Sequence, residues 1–415
     1  MESVQVTDIS AARNLLKQLS TQVSDLVHGI ERHIFIGNMI SNLPDDQRLD
    51  LKSLLNRYLL KMHENNASDI DIGGYGAQGR IWYRIFGSKR PDDSWGTVTP
   101  DESSLLTQNI LSDRQRQFFY DKRNIDFSYM LADGDKTFRF RADAYLDLEE
   151  VALNMRAVSD QVRSINDLVF HPYVLKIMSL AHTKEGLILV TGITGSGKSS
   201  TLDSIIDMNN HTVNADIIII GSPIEYVHKS DKCIVRHREV GRDTLSFKEG
   251  AIEALRQDPD IVMIAEMRDS DTIMTALEIT DSGHKVFSTL HTASAVESID
   301  RIVAEVPAEE QERVWQRLAD VLQCVVSQKL IPSLDGKRVL AKEVLVGSSS
   351  VKAAIKNKNT GEIYQMIAEG SDVGMVTMEQ DLKRLYMQRR ISKENALNYA
   401  NNKRRMEQLL AATAF

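Results

Sequence analysis

The sequence predicts an α/β protein in which a parallel sheet wrapped by helices follows a smaller α+β domain, with helices at both ends. Three patterns carry that reading. Residues 10–60 hold apolar positions at helical spacing, residues from about Ala67 to Arg156 hold short β-branched and aromatic segments, and after Leu168 apolar runs alternate with amphipathic stretches. At 415 residues the chain exceeds the usual size of one core. The expected division is a helical extension over 1–60, an α+β domain over 61–157, a linker over 158–169, an α/β domain over 170–347 and a helical region over 348–415.

In the first segment Leu15, Leu16, Leu19, Val23, Leu26, Val27 and Ile30, then Leu51, Leu54, Leu55 and Leu59, predict two amphipathic helices split near Pro44. Helices packed on the following domain are the plain reading, and a partner-docking arm is the alternative. The second segment predicts strands at Ile70–Ile72, Ile81–Phe86, Phe127–Ala132, Thr137–Tyr145 and Val151–Ala157, with helices at Asp101–Leu111 and Asp113–Asp121. Within it Gly74, Gly76 and Gly79 satisfy the dinucleotide-binding glycine pattern, yet Ile81–Ile85 reads as a strand where that motif requires a helix. The segment is therefore read as a hairpin turn.

The third segment alternates strand runs at Leu187–Gly192, Asp216–Gly221, Ile261–Glu266 and Val286–His291 with helices from Lys198, at Phe247–Gln257, Ser270–Asp281 and Ala295–Ala304. That alternation is what a parallel sheet with crossover helices produces.

Composition is that of an ordinary globular chain, with 42% hydrophobic and 26% charged residues. The longest apolar runs, Leu187–Val190 and Ile217–Ile220, are too short to cross a bilayer, and the start MESVQVTDIS lacks a basic and apolar leader, so neither export nor insertion is expected. Cys233 and Cys324 are too few for a tetracysteine metal site and read as small buried hydrophobes. A net charge of −8, with no basic and aromatic stripe, argues against a nucleic-acid partner.

The run Leu187-Ile-Leu-Val-Thr-Gly192-Ile-Thr-Gly195-Ser-Gly197-Lys198-Ser199 matches G-x-x-x-x-G-K-[ST] between a buried strand and a helix start. Glycines let successive backbone N–H groups turn inward around a polyphosphate, and the helix that follows presents its positive end. Gly192, Thr194, Gly195, Ser196, Gly197, Lys198, Ser199 and Ser200 are the candidate ATP cradle, with Lys198 directed to the β/γ-phosphates and the Ser199 hydroxyl to Mg²⁺.

Hydrolysis also needs an acid on the metal side and another to orient water. The strand beginning at Ile261 ends in Glu266, the candidate Mg²⁺-side carboxylate, and the preceding strand leads through Pro223 into Glu225. Position alone reads Glu225 as a solvated charge. A fourth strand ends in His291, for which a structural role is the plain alternative to a catalytic one.

Taken together, Gly192–Ser199, Pro223-Ile-Glu225-Tyr226, Asp258–Asp269 with Glu266, and Thr289-Leu-His291-Thr292 resemble the Walker A, Asp, Walker B and His boxes of the secretion ATPase superfamily, most closely of its type IV pilus retraction ATPases. The stretch from Arg236 to Thr244 resembles that family's signature between the Asp and Walker B boxes, and the likeness runs from about Ala67 to Asn401. The resemblance implies a RecA-like P-loop NTPase core behind a PAS-like α+β domain, and makes Glu225 the candidate general base. It further implies a homohexamer that hydrolyses ATP and acts on an inner-membrane pilus platform protein, in the cytoplasm and peripheral to the membrane machinery. Arg139, Arg141 and Arg156 of the N-terminal domain are then expected to approach the nucleotide.

Three features depart from the family pattern. Gly221-Ser222 replaces an acidic pair ahead of Pro223, in a form similar to type IVB secretion ATPases; Ser350–Asn357 is a divergent version of the retraction signature; and the first sixty residues extend beyond the compact retraction enzymes. A motor for type IVB secretion or conjugation is accordingly the alternative, with a regulatory nucleotide-binding module of low turnover as an alternative of another class, and a nucleic-acid translocase as a third. The missing tetracysteine site disfavours pilus extension. Met378–Leu385 and Lys393–Leu410 predict C-terminal helices, the second with a basic turn at Lys403–Arg405 read as a solvated face.

Overall fold

A computed structural model of the chain describes residues 9–412 apart from 86, 135, 159 and 160. It divides into two compact units, Met1–Asp160 and Gln161–Phe415.

The first unit begins with α1 (Ile9–Ser20), α2 (Gly29–Ser41) and α3 (Asp45–Glu64), three helices where periodicity predicts two. The extra break follows from local hydroxyl chemistry. Ser20 and Thr21 donate to the carbonyls of Lys17 and Gln18, and Ser24 accepts from the Leu26 amide, which offers the backbone partners other than the helical ladder. Leu26, placed on the apolar stripe by its spacing, ends 89% exposed in the resulting turn. α3 runs through the expected boundary at residue 60, and Leu16, Ile36, Leu55 and Leu59 share one apolar cluster with Ile70, Tyr83, Phe127 and Leu153 of the sheet.

That sheet contains β1 (Ala67–Gly73), β2 (Ile81–Ile85), β3 (Ser88–Asp92), β4 (Asn124–Asp133), β5 (Lys136–Asp147) and β6 (Glu150–Val158), in the order β3-β2-β1-β6-β5-β4 and antiparallel throughout. Phe86, placed in the second strand by its pattern, lies outside the described residues, as do Ser159 and Asp160 of the expected linker. The glycine segment closes a β1–β2 hairpin through a short 3₁₀ turn at Tyr75–Ala77, which is turn geometry and not the strand-to-helix geometry of a dinucleotide site. α4 (Pro100–Asn109) and α5 (Asp113–Lys122) each open on a capping box, Thr99 with Glu102 and Ser112 with Gln115.

The second unit is built on a seven-stranded sheet. Its elements are α6 (Pro172–Met178), β7 (Gly186–Thr191), α7 (Lys198–Thr212), β8 (Asp216–Gly221), β9 (Ile234–Glu239), α8 (Phe247–Ala254), β10 (Ile261–Ile264), α9 (Ser270–Asp281), β11 (Lys285–Leu290), α10 (Ala295–Ala304), α11 (Ala308–Val321), β12 (Leu322–Pro332), β13 (Arg338–Val346), α12 (Ser349–Lys356), α13 (Ile363–Glu369), α14 (Met378–Met387), α15 (Lys393–Tyr399) and α16 (Lys403–Ala411). Strand order is β13-β12-β7-β11-β10-β8-β9, parallel except for the β12–β13 hairpin. β7, β8, β10 and β11 are apolar-rich and almost wholly buried, as strands covered on both faces must be.

The predicted helix Lys393–Leu410 is two helices. Ala400 is extended, and the Asn402 side chain caps α16 by accepting from the Arg405 amide at 3.0 Å, so a polar cap outcompetes continuation of the helix. No helix among the described residues is long and apolar enough to cross a membrane.

Candidate phosphate-binding site

β7, β11, β10 and β8 are neighbours in register, so their carboxyl ends lie along one edge of the sheet. The chain leaves that edge into the glycine loop after β7, His291 after β11, Glu266 after β10 and Glu225 after β8. A parallel sheet gathers loops from distant sequence positions at one rim, which is where its ligands bind.

The loop itself is shaped by close approach. A Cβ on Gly192 would fall 2.4 Å from Ser196 Oγ and 2.5 Å from the Gln328 carbonyl oxygen, so only glycine fits there. Gly197 precedes α7 at φ 89°, a left-handed conformation that glycine adopts without strain. No side chain caps the first turn of α7, whereas α8, α9 and α10 are capped by Ser246, Asp269 and Ser294. A helix start left uncapped beside a glycine turn suits an anionic ligand.

Lys198 is buried and its Nζ donates to the Gly192 carbonyl at 2.9 Å and to that of Ile193 at 3.3 Å. Burial lowers its pKa, and the charges of Glu266 and Glu225 oppose the fall. Glu266 is held by its backbone surroundings. The Ala265 amide donates to Ile220 O at 2.9 Å, the Ala265 carbonyl accepts from Thr289 Oγ1 at 2.6 Å, and the Met267 amide donates to Thr289 O at 3.1 Å. Its carboxylate pairs with Arg268 on one oxygen and stands 3.6 Å from His291 Nε2 on the other. Burial and the Lys198 charge hold His291 below the ordinary histidine value, while Glu266 opposes them. Glu225 is exposed on its loop, and Thr194 and Gly195 are likewise exposed.

Behind the loop lie further buried polar groups. Gln328 on β12 is buried; its Nε2 donates to the Ser196 carbonyl at 2.9 Å and its Oε1 accepts from Thr201 Oγ1 at 3.0 Å. Thr191 and Ser327 share a hydroxyl hydrogen bond of 2.7 Å, as do Thr292 and Ser298. Arg268 could have been suspected from its place two residues after Glu266. Gln328 and Ser327 could not, because β12 carries no motif.

The residues fit a magnesium-bound polyphosphate. Ser196 Oγ is buried without a hydrogen-bond partner, and a Cβ built on Gly195 meets no atom within 4 Å, which leaves room at the loop's outer turn. A buried ammonium, a serine hydroxyl at position 199 and a carboxylate at 266 supply donors and acceptors of the required kinds.

Arg139, Arg141 and Arg156 belong to the first unit and are described there. Arg141 and Arg156 face each other across β5 and β6, with Arg139 two residues along β5. Arg156 Nε donates to Asp69 Oδ1 at 2.8 Å, whereas Arg141 stands 3.8 Å from Asp126. Burial pushes the Asp69 carboxyl up, but hydrogen bonds from Ser68 and Arg156 outweigh it and hold the pKa below the ordinary value.

A family profile described as Type II/IV secretion system protein matches residues 45–413. The type IV pilus retraction ATPase PilT of Pseudomonas aeruginosa is 40% identical over 291 residues, 70% of this chain and 83% of that protein. A crystal structure of the pilus retraction motor PilT with bound ADP superposes with a TM-score of 0.76 at 36% identity, covering 85% of this chain and 98% of that one. The Legionella pneumophila ATPase DotB shares the fold with a TM-score of 0.67 at 24% identity, covering 87% of this chain and 96% of that one. With its four strand-end blocks on one sheet rim, the chain belongs to the Type II/IV secretion system protein family.

Proposed function

We propose that this protein is a P-loop ATPase whose hydrolysis of ATP to ADP and phosphate drives retraction of a type IV pilus. The observation that carries the reading is the meeting of Lys198, at the start of α7, with Glu266 and His291, which follow adjacent strands, in a chain 40% identical to a pilus retraction ATPase. Lys198 holds the β/γ-phosphates by its ammonium, and the amides of the glycine loop and of the α7 start take the remaining phosphate oxygens. Ser199 and Glu266 hold Mg²⁺, which when bound supplies Lewis-acid stabilisation of phosphoryl charge. Glu225 orients and deprotonates the attacking water. His291 positions Glu266 through their contact at 3.6 Å. Arg139, Arg141 and Arg156 neutralise charge on the transferring phosphoryl group, from the same or a neighbouring subunit.

As a retraction motor the chain works as a homohexamer in the cytoplasm, on an inner-membrane platform protein. Phosphate release from the assembled parent in Mg²⁺ tests the enzyme reading: Lys198→Ala and Glu266→Gln should each fall at least about a hundredfold. A parent no faster than either variant overturns it and favours a regulatory nucleotide-binding module. Deleting the gene tests the motor reading, with piliated cells that cannot retract as the expected outcome.

A second reading, a motor for type IVB secretion or conjugation, is favoured by Gly221-Ser222-Pro223-Ile224-Glu225. Intact pilus dynamics with lost secretion in the deletion strain would select it.

A further inference from the structure

Gln328 is paired directly with Lys342 across the β12–β13 hairpin, and antiparallel partners project on the same face of a sheet. Both side chains are buried, and each makes polar contacts with a different segment. Gln328 grips the phosphate loop at the Ser196 carbonyl and the first turns of α7 at Thr201. Lys342 Nζ donates to the Leu168 carbonyl at 2.9 Å and lies 5.2 Å from the centre of the Phe170 ring. Leu168 and Phe170 end the segment by which the chain enters the second unit. The Lys342 backbone is fixed in turn, since its amide donates to Asp381 Oδ2 at 2.9 Å.

A buried glutamine and a buried lysine on one strand pair are costly unless each polar group is used. An apolar pair would fill the same space at no such cost. Here the amide uses one end on the phosphate loop and the other on α7, and the ammonium is spent on the Leu168 carbonyl and an aromatic face, within the field of the Asp381 carboxylate and far in sequence from the loop. Neither group is at the reacting centre. Their use is to tie two segments to adjacent positions of one rigid hairpin.

We propose that Gln328 and Lys342 are positioning residues of a relay, in which nucleotide held by the phosphate loop shifts the β12–β13 hairpin through Gln328 and so changes how Lys342 holds Leu168 and Phe170. The proposal rests on the reading of the loop as a nucleotide site, and supplies the route by which that site's occupancy reaches the segment leading to the first unit. Rearrangement of the loop about a polyphosphate displaces the Ser196 carbonyl or the start of α7. Either movement changes the Gln328 hydrogen bonds, and the hairpin is shared.

Coupling must be measured as coupling. The test is hydrogen exchange in the full chain over residues 165–175, with and without saturating ADP, alongside titration of a fluorescent ADP analogue. In the parent, ADP should change exchange of this segment by about fivefold or more. Lys342→Met should bind the analogue within about twofold of the parent yet lose most of that change. Gln328→Leu should weaken binding by about tenfold, the worth of one to two hydrogen bonds, and lose the change even when saturated. Thr201→Val removes the same grip from the helix side and takes the place of Gln328→Leu should that variant not fold. Combined with Gln328→Leu it should add little, as one clamp released twice. A nucleotide-dependent change that survives in Lys342→Met, or that is absent from a parent which binds ADP, overturns the relay alone. A parent that binds no nucleotide overturns the reading of the site and the relay with it.

Discussion

His291 Nε2 lies 3.6 Å from Glu266 Oε2, so the first residue beyond β11 meets the second beyond β10. The groups facing the imidazole are this carboxylate and the cations Lys198 and Arg268. Burial comes first and Lys198 second in holding its pKa down, so the ring is neutral at pH 7. Protonation would set a third positive charge beside Lys198 and Arg268 and draw Glu266 away from the metal side. Turnover is therefore expected to fall as pH drops below the ordinary histidine value of about 6.5, and His291→Gln should flatten that limb. Phosphate release measured from about pH 5 to 8 checks this, and an identical acid limb in the variant would remove His291 from the profile.

Glu225 and Glu266 differ in surroundings, and their amide variants should differ in kind. Glu225 is exposed on its loop, whereas Glu266 is paired with Arg268 and close to His291. Glu225→Gln should keep ATP affinity within about threefold and lower kcat by about 10²- to 10⁴-fold, as loss of a general base does. Glu266→Gln should in addition weaken the Mg²⁺ dependence of binding. Nucleotide titrations with and without Mg²⁺, beside single-turnover hydrolysis, separate the two. Normal turnover in Glu225→Gln would return that residue to the solvated surface.

Some of this architecture is legible in the sequence for a physical reason. The glycine loop and the strand ends at Glu266 and His291 follow from local signals, since buried parallel strands are short apolar runs and turns need glycine. What was not legible depends on residues brought together by sheet order. β12 is 11 residues long but carries Ser327, Gln328 and Lys329 at its centre, which breaks an apolar run, and Gln328 meets Ser196 across 132 positions of chain. The helix breaks near Thr21 and Asn401 are of another kind: local polar groups competing with the helical ladder, which period counting does not weigh.

The candidate arginines Arg141 and Arg156 of the first unit are not equivalent. Arg156 serves a buried carboxylate, because Asp69 is 4% exposed at its side chain and accepts from Arg156 Nε at 2.8 Å. Arg84 also approaches Asp69, at 3.4 Å, and would remain after truncation. Arg156 is itself 64% exposed at its side chain and Arg84 remains, so Arg156→Ala should cost no more than about 1 kcal/mol of stability, with any change in kcat mixed into that loss. Arg141 is 45% exposed at its side chain and 3.8 Å from an exposed Asp126, a pair worth little. Arg141→Ala should leave the melting temperature unchanged and, if the side chain meets the phosphoryl group, lower kcat more than binding. Thermal melts paired with steady-state kinetics test both, and an unchanged kcat would exclude Arg141 from the site.

Glu343 offers a stability prediction independent of turnover. It lies on β13, is buried, and accepts from the Ala295 amide at 2.8 Å at the start of α10. Burial pushes its carboxyl up to about 7, with Glu379 adding to the rise and the Ala295 hydrogen bond opposing it. The ordinary value is 4.5, so between that and about 7 the folded chain holds a proton the unfolded chain has lost. Its contribution is most favourable on the acid side of that window and is lost as pH rises through about 7, where a buried group must ionise. Glu343→Gln never ionises, and its one oxygen serves one of the two amides, Ala295 and Met378, from which the carboxyl accepts. Its melting temperature relative to the parent should be roughly 3–8 °C higher near pH 8 than near pH 5. Melting curves of both proteins at these two pH values give the answer, and an equal difference at each would show that Glu343 does not take up a proton on folding.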